Sequence, residues 1–101
     1  MRTLIMNVIA KRNILKAGEK FGLVAEMNRW YRDAKSANWQ SMGDVRIAYA
    51  STDKVGRVLI FNIRGNQFRL ITQVNFAIQT IFFKALMTHK EYDRGEWKKW
   101  T

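Results

Sequence analysis

"RVLIFNIRGNQFRLITQVNF", residues 57–76, decides the architecture. Two runs rich in β-branched and aromatic residues flank Gly65-Asn66. Glycine at the first turn position and asparagine at the second predict a two-residue hairpin turn of type II′ or I′. The turn sets the register, and the register sorts the side chains. Arg64 is placed opposite Gln67, Ile63 opposite Phe68, Asn62 opposite Arg69 and Phe61 opposite Leu70. Phe61, Ile63, Phe68, Leu70, Val74 and Phe76 then share one face, the core face. Asn62, Arg64, Gln67, Arg69, Gln73 and Asn75 share the other. That polar face carries two arginines and no carboxylate. Arginine presents five donors in a fixed fork suited to phosphate oxygens.

Downstream, "TIFFKALM", residues 80–87, is apolar on both faces except at Lys84. It reads as a central strand buried on both sides. It delivers "THKEYD", residues 88–93, which holds the chain's single histidine, His89, and Tyr92 three places on. Counting by two puts His89 with Ile81, Phe83, Ala85 and Met87. Taken alone, His89 is either a proton-transfer group or a strand-end residue bonded to a backbone carbonyl, and the residues leave both open. Lys54, in "TDKV", lies just before the hairpin.

Upstream, the period is helical. "MNVI", residues 6–9, suits a first strand. From Lys11, the residues Ile14, Leu15, Gly18 and Phe21 recur at helical spacing, and Gly22 can end that helix. Leu23, Met27, Trp30 and Ala34 form the apolar stripe of a second helix. Arg29, Arg32 and Lys35 lie off the stripe on a solvated face, and Trp30 is placed in the core. "SMGD", residues 41–44, has the form of a capping box. It opens a short helix with Val45, Ala48 and Tyr49 along one edge. Helices first and an antiparallel sheet after them make the fold class α+β.

Length and composition narrow the function. The 101 residues allow one domain, 1–101, with no proline, linker or repeat to divide it. Without cysteine and with one histidine, neither a disulfide framework nor a structural zinc site is possible. No cofactor is expected. Eighteen Lys and Arg against eight Asp and Glu give +10, beyond the ~2–8 usual for a small domain. That balance favours a polyanionic partner, with nucleic acid first. "MRTLIMNVIA", residues 1–10, is too short for a secretory signal and lacks a cleavage pattern. No stretch approaches the ~18 apolar residues of a membrane span. A cytosolic protein is expected.

A basic sheet face, a histidine at a strand end and a nearby tyrosine are equipment for cutting RNA without a metal. Such a reaction activates a ribose 2′-hydroxyl, stabilises charge at phosphorus and protonates the leaving oxygen. His and Tyr transfer protons, and Arg and Lys neutralise the charge. A non-catalytic nucleic-acid-binding module would carry the same charge and aromatics, and is the alternative.

At these residues the chain resembles the HigB family, the RelE-like endoribonuclease toxins of bacterial type II toxin–antitoxin systems. The resemblance runs from about Trp30 to Asp93 and rests on two ordered blocks. "VLIFNIRGNQFRLI" matches the family's V-V-F-N-I-K-G-N-K-Y-R-L, and "THKEYD" matches T-H-x-E-Y-D. "MGDVRIAYAS" precedes them in the expected order.

The resemblance implies N-terminal helices packed on one face of a small, mostly antiparallel sheet. The open face would bind mRNA, generally on the ribosome. It implies Arg69 for transition-state charge, and His89 as general acid or base. Tyr92 would be its partner or a stacking platform. Asn62, Arg64 and Gln67 would grip RNA, with Lys54 and Lys90 assisting. Glu91 and Asp93 read as structural, pairing nearby Lys or Arg. It also implies a cognate helix-turn-helix antitoxin, HigA-like, and a toxin–antitoxin complex on operator DNA. The ending "GEWKKW", residues 95–100, departs from the family. Trp97 and Trp100 are either a short amphipathic helix packing back or surface aromatics that contact rRNA.

Overall fold

The apolar stripes of the N-terminal helices and the apolar face of the hairpin must bury each other. In the computed structural model, which describes residues 5–101, they do so as a helical layer on a sheet. Met1–Leu4 of the apolar N-terminal run lie outside the described residues. The first strand, β1 (Asn7–Ile9), leads into α1 (Lys11–Phe21), α2 (Val24–Ser36) and α3 (Met42–Ala48). Strands β2 (Asp53–Val55), β3 (Val58–Ile63), β4 (Phe68–Asn75) and β5 (Thr80–Thr88) follow. A one-turn helix, α4 (His89–Asp93), and a 3₁₀ turn (Glu96–Trp100) finish the chain.

Helix ends fall where local chemistry puts them. Gly22 takes φ +70° after α1. Its N–H donates to the Glu19 carbonyl and that of Leu23 to the Gly18 carbonyl, the pairing of a Schellman motif. Ser41 caps α3 by accepting from the Asp44 N–H, while the Asp44 carboxylate accepts from Gln40.

The sheet order is β1-β5-β4-β3-β2. Among the described residues only β1, on β5, pairs parallel; the other pairings are antiparallel. The fold is α+β, with a mostly antiparallel sheet. The middle strand is β4, where the sequence had pointed to β5. Trp30, 1% exposed, meets Phe61 edge-on at 5.3 Å, and Phe61 stacks with Trp39 at 6.2 Å. Trp30 is a core residue, as its place on the apolar stripe requires. Aromatic contacts of this kind contribute about 0.5–1.5 kcal/mol beyond burial.

The hairpin keeps the expected register: Ile63 pairs with Phe68, Asn62 with Arg69 and Phe61 with Leu70. The turn itself is wider. Residues 64–67 leave the ladder, closed by a Gln67 N–H to Arg64 carbonyl bond of 3.3 Å. Positive φ falls on Arg64 (+51°) and Gly65 (+64°) but not on Asn66, which excludes type I′. Leaving the extended conformation carries Arg64 off the expected polar face. Its Nε donates to Glu26 of α2 at 2.8 Å, and Nη2 lies 2.6 Å from the same oxygen.

Two further departures reshape the open face. A register shift in β5 leaves Lys84 as an extra residue: Ile71 pairs with Ala85, but Thr72 pairs with Phe83. One extra residue flips the alternation. Ile81 and Phe83 therefore face the helices, while Ala85 and Met87 face away. The open face is also not wholly polar. Val58, Ile60 and Ile71 are buried there under Trp97, with Trp100 alongside. The 3₁₀ turn thus packs back on the sheet, the first of the two readings for that tail. Among the described residues no helix is long and apolar enough to cross a membrane.

Candidate active site

Strand β5 ends on a capping box. The Thr88 hydroxyl accepts from the Glu91 N–H at 3.1 Å, and the Glu91 carboxylate accepts from the Thr88 N–H at 3.0 Å. These bonds hold the Glu91 carboxyl below the usual range, the Thr88 backbone bond foremost. The box starts α4 at His89, so His89 sits on a helix, not on a strand. "THKE", residues 88–91, is the S/T-x-x-E signature, and it was the local signal for this helix. The His89 N–H donates to the Gln67 carbonyl at 2.9 Å, which ties α4 to the hairpin turn.

Arg69, Tyr92 and His89 converge there. Arg69 is 7% exposed on the open face of β4. Its Nη1 donates to the carbonyls of Asn66 (3.0 Å) and Phe68 (3.3 Å), and Nη2 to the Asn66 Oδ1 (2.7 Å). The same Nη2 faces His89 Nδ1 at 3.2 Å. A guanidinium only donates, so His89 Nδ1 accepts and the ring proton sits on Nε2. Nε2 lies 3.3 Å from Asp93 Oδ2, one helical turn on. The imidazole is held between a guanidinium and a carboxylate, and half of it remains open to solvent.

The Tyr92 ring is covered on two sides. The Arg69 guanidinium lies 5.2 Å from its centroid. The Trp97 indole stacks on it at 5.0 Å, with planes 5° apart. The Trp97 indole N–H donates to the Tyr92 carbonyl at 3.0 Å. A nucleobase would have to displace Trp97 to stack there, so the geometry leaves Tyr92 its hydroxyl rather than its face. Burial, and after it the Asp53 carboxylate, push the phenol above its ordinary value, with Arg69 opposing.

The other residues singled out from the sequence divide between this cluster and elsewhere. Gln67 lies in the turn and Lys90 on α4, both exposed beside the cluster. Asn62 pairs with Arg69 across the ladder and donates to the Ser51 hydroxyl at 3.1 Å. Arg64 is turned away to Glu26. Lys54 pairs with Leu59, a helix-side core residue, and lies near the opposite end of the sheet. Glu91 and Asp93 do hold structure, but through Thr88 and His89 rather than through a Lys or Arg. Asn66, which braces Arg69, and Trp97, which backs Tyr92, were not read as site residues. The i, i+4 spacing of His89 and Asp93 was a usable signal once α4 is known to be a helix.

A model of the HigB toxin family, RelE-like toxic components of toxin–antitoxin systems, matches residues 24–95. An mRNA interferase HigB of Escherichia coli O6:H1 is 25% identical over 93 residues, covering 88% of this chain and 90% of that protein. The mRNA interferases HigB of Escherichia coli O157:H7 and Shigella flexneri are 44% identical over 34 residues, about a third of each chain. The match takes in the hairpin and the whole Arg69–His89–Tyr92 cluster and stops short of the Trp97 turn. With most of its length inside that match, the chain belongs to the HigB toxin family of toxin–antitoxin systems.

Proposed function

We propose that this single-domain protein is an endoribonuclease toxin that cuts mRNA on the ribosome without a metal and so stops translation. The observation that carries this reading is Arg69. It is a nearly buried cation whose partners are two carbonyls, an amide oxygen, an imidazole nitrogen and a π face. No carboxylate of the described residues pairs with it. Burying a charge without a counter-charge is costly. An RNA phosphate arriving beside His89 supplies the missing anion.

The reaction follows from that cost. With a phosphate oxygen both partners are ionised, whereas with His89 Nδ1 only the guanidinium is, so Nη2 prefers the phosphate. Turning to the phosphate frees the Nδ1 lone pair, which takes the proton of the 2′-hydroxyl. Asp93 keeps the Nε2 proton and stabilises the imidazolium, as a carboxylate does beside a catalytic histidine in acyl transfer. The 2′-oxygen attacks phosphorus in line, and the developing dianion is neutralised by the Arg69 guanidinium. The bond to the 5′-oxygen breaks, and the Tyr92 hydroxyl protonates it. The phenolate so formed lies beneath the same guanidinium. The products are a 2′,3′-cyclic phosphate and a 5′-hydroxyl.

No three metal-binding side chains gather among the described residues, and the mechanism uses none. Gln67, Lys90 and Asn62 are assigned to hold the flanking backbone. The relatives' interferase name supports RNA cleavage. Membership of the family supports a cognate antitoxin, of the helix-turn-helix, HigA-like type, and action in the bacterial cytoplasm. Together the pair would sit on its own operator DNA.

Primer extension on a defined mRNA during induction tests this reading. New 5′ ends within the reading frame are expected, and are lost with His89→Gln and with Arg69→Ala. Intact message under all three conditions would overturn it and leave a nucleic-acid-binding module.

A further inference from the structure

A second basic feature lies on the sheet, away from His89. The β2–β3 and β4–β5 turns border a cavity of about 390 Å³ lined by Lys54, Arg57, Gln73, Asn75 and Phe82, among others. That volume is within the ~300–1,000 Å³ of small-ligand sites. Gln73 and Phe82 pair across β4 and β5, on the face that also carries Arg69. Four residue steps of ~3.3 Å separate Gln73 from Arg69 along β4, roughly 13 Å. Ile71 between them lies under Trp97, so a strand joining the two passes over the 3₁₀ turn.

The lining has the chemistry of a nucleotide site. Phe82 is a half-buried aromatic ring. The Gln73 amide nitrogen donates to the Trp100 carbonyl at 2.8 Å, which leaves its oxygen as an acceptor. The Asn75 oxygen accepts from the Ile78 N–H, which leaves its amide nitrogen as a donor. Lys54 and Arg57 enter no ion pair among the described residues. The Lys54 ammonium donates to the Gly56 carbonyl at 2.5 Å and keeps further N–H donors. A stacking ring, one donor, one acceptor and two cations without a carboxylate partner suit the face, the edge and the phosphate of an unpaired nucleotide.

We infer that this cavity is a second subsite, taking one unpaired ribonucleotide of the strand that is cut at His89. The inference rests on the RNA-cleaving reading and adds how the strand is held. It gives Lys54, stranded far from Arg69, a place on the same strand. The separation equals about four stacked nucleotides at ~3.4 Å each, and fewer if the strand is extended.

Length dependence tests it. A fluorescent 2′-O-methyl octamer cannot be cut, because it lacks the attacking hydroxyl, and is long enough to span both sites. A 2′-O-methyl dinucleotide spans one. Arg57→Gln and Phe82→Leu are each expected to weaken octamer binding about tenfold. Dinucleotide binding at the Arg69–His89 site, read by the histidine ring ¹⁵N shifts, is expected to change less than about twofold, since a probe bound there touches neither Arg57 nor Phe82. Arg57→Gln should also lower the salt slope by about 0.7, one phosphate contact. Equal octamer affinity in the parent and both variants overturns the subsite, as does an equal loss with both probes. Failure of the parent to bind the octamer overturns it too. The nuclease reading is judged separately, by the primer-extension ends.

Discussion

Arg69 Nη2 and His89 Nδ1 stand 3.2 Å apart, and that contact makes the charge-bearing residue also the one that sets the histidine tautomer. In the proposed mechanism this cation holds the lone pair until a phosphate draws it away, which would keep the base silent until substrate is in place.

This double duty distinguishes Arg69 from a simple charge. Arg69→Lys retains the cation but loses the fork that reaches Asn66, Phe68 and His89 together. Cleavage is expected to fall by about 10²–10³-fold, the scale of a lost charge-stabilising donor. Single-turnover kinetics on a defined message measure it. Activity within about threefold of the parent would show that charge alone suffices.

Asp93 faces His89 Nε2 at 3.3 Å, and in the proposed mechanism it orients the ring and touches no reacting atom. Asp93→Asn should leave the α4 backbone intact and lower cleavage by roughly 10²-fold or more, the size of a proton-transfer contribution. The histidine ring ¹⁵N shifts distinguish positioning from damage. They should report a changed tautomer balance in Asp93→Asn and an unchanged one in Lys90→Ala.

Trp97 is 4% exposed and backs Tyr92. Trp97→Ala is expected to cost about 3–5 kcal/mol, as deletions of buried tryptophan do. It also hydrates the Tyr92 phenol, whose elevated pKa comes first from burial. Ultraviolet titration should find that phenol ionising at lower pH in Trp97→Ala, and nearer the parent in Trp97→Phe.

The capping box makes α4 sensitive to acid. Glu91 titrates below its ordinary value in the folded protein, so its contribution is full above the unfolded pKa of ~4.3. It is lost as pH falls through the lower, folded pKa. The stability gap between the parent and Glu91→Gln should therefore be constant above about pH 5 and close in acid. Thr88→Ala should cost about 1 kcal/mol near neutral pH. Urea unfolding at a series of pH values checks both.

Much of the fold was legible because its signals are local. The Gly65-Asn66 turn set the register of β3 on β4, Gly22 ended α1, and Ser41 opened α3. The helical stripe of Leu23, Met27, Trp30 and Ala34 identified the core side of α2. Three local signals misled or were passed over. Alternation by two was carried through Lys84, where a bulge shifts the phase. "THKE" opens a helix, yet His89 was placed at a strand exit. Arg64 was put beside Arg69 because a two-residue turn keeps both in one ladder, and its positive φ breaks that assumption.

By itself, the sequence determined the first three helices, the β3–β4 register, the core side of the hairpin, and the three residues Arg69, His89 and Tyr92 that now meet. Turn chemistry and periodicity act within a few residues, so one chain suffices to show them. The tertiary structure alone decided that Arg64 turns to Glu26, that Trp97 closes over Tyr92, and that Arg69 is buried with no carboxylate beside it. Arg64 and Glu26 are distant in sequence, and Trp97 closes over Tyr92 only because its turn packs on Val58, Ile60 and Ile71 of the sheet. These contacts depend on how a helix, a turn and a C-terminal tail compete for one sheet face, and no local pattern encodes that competition.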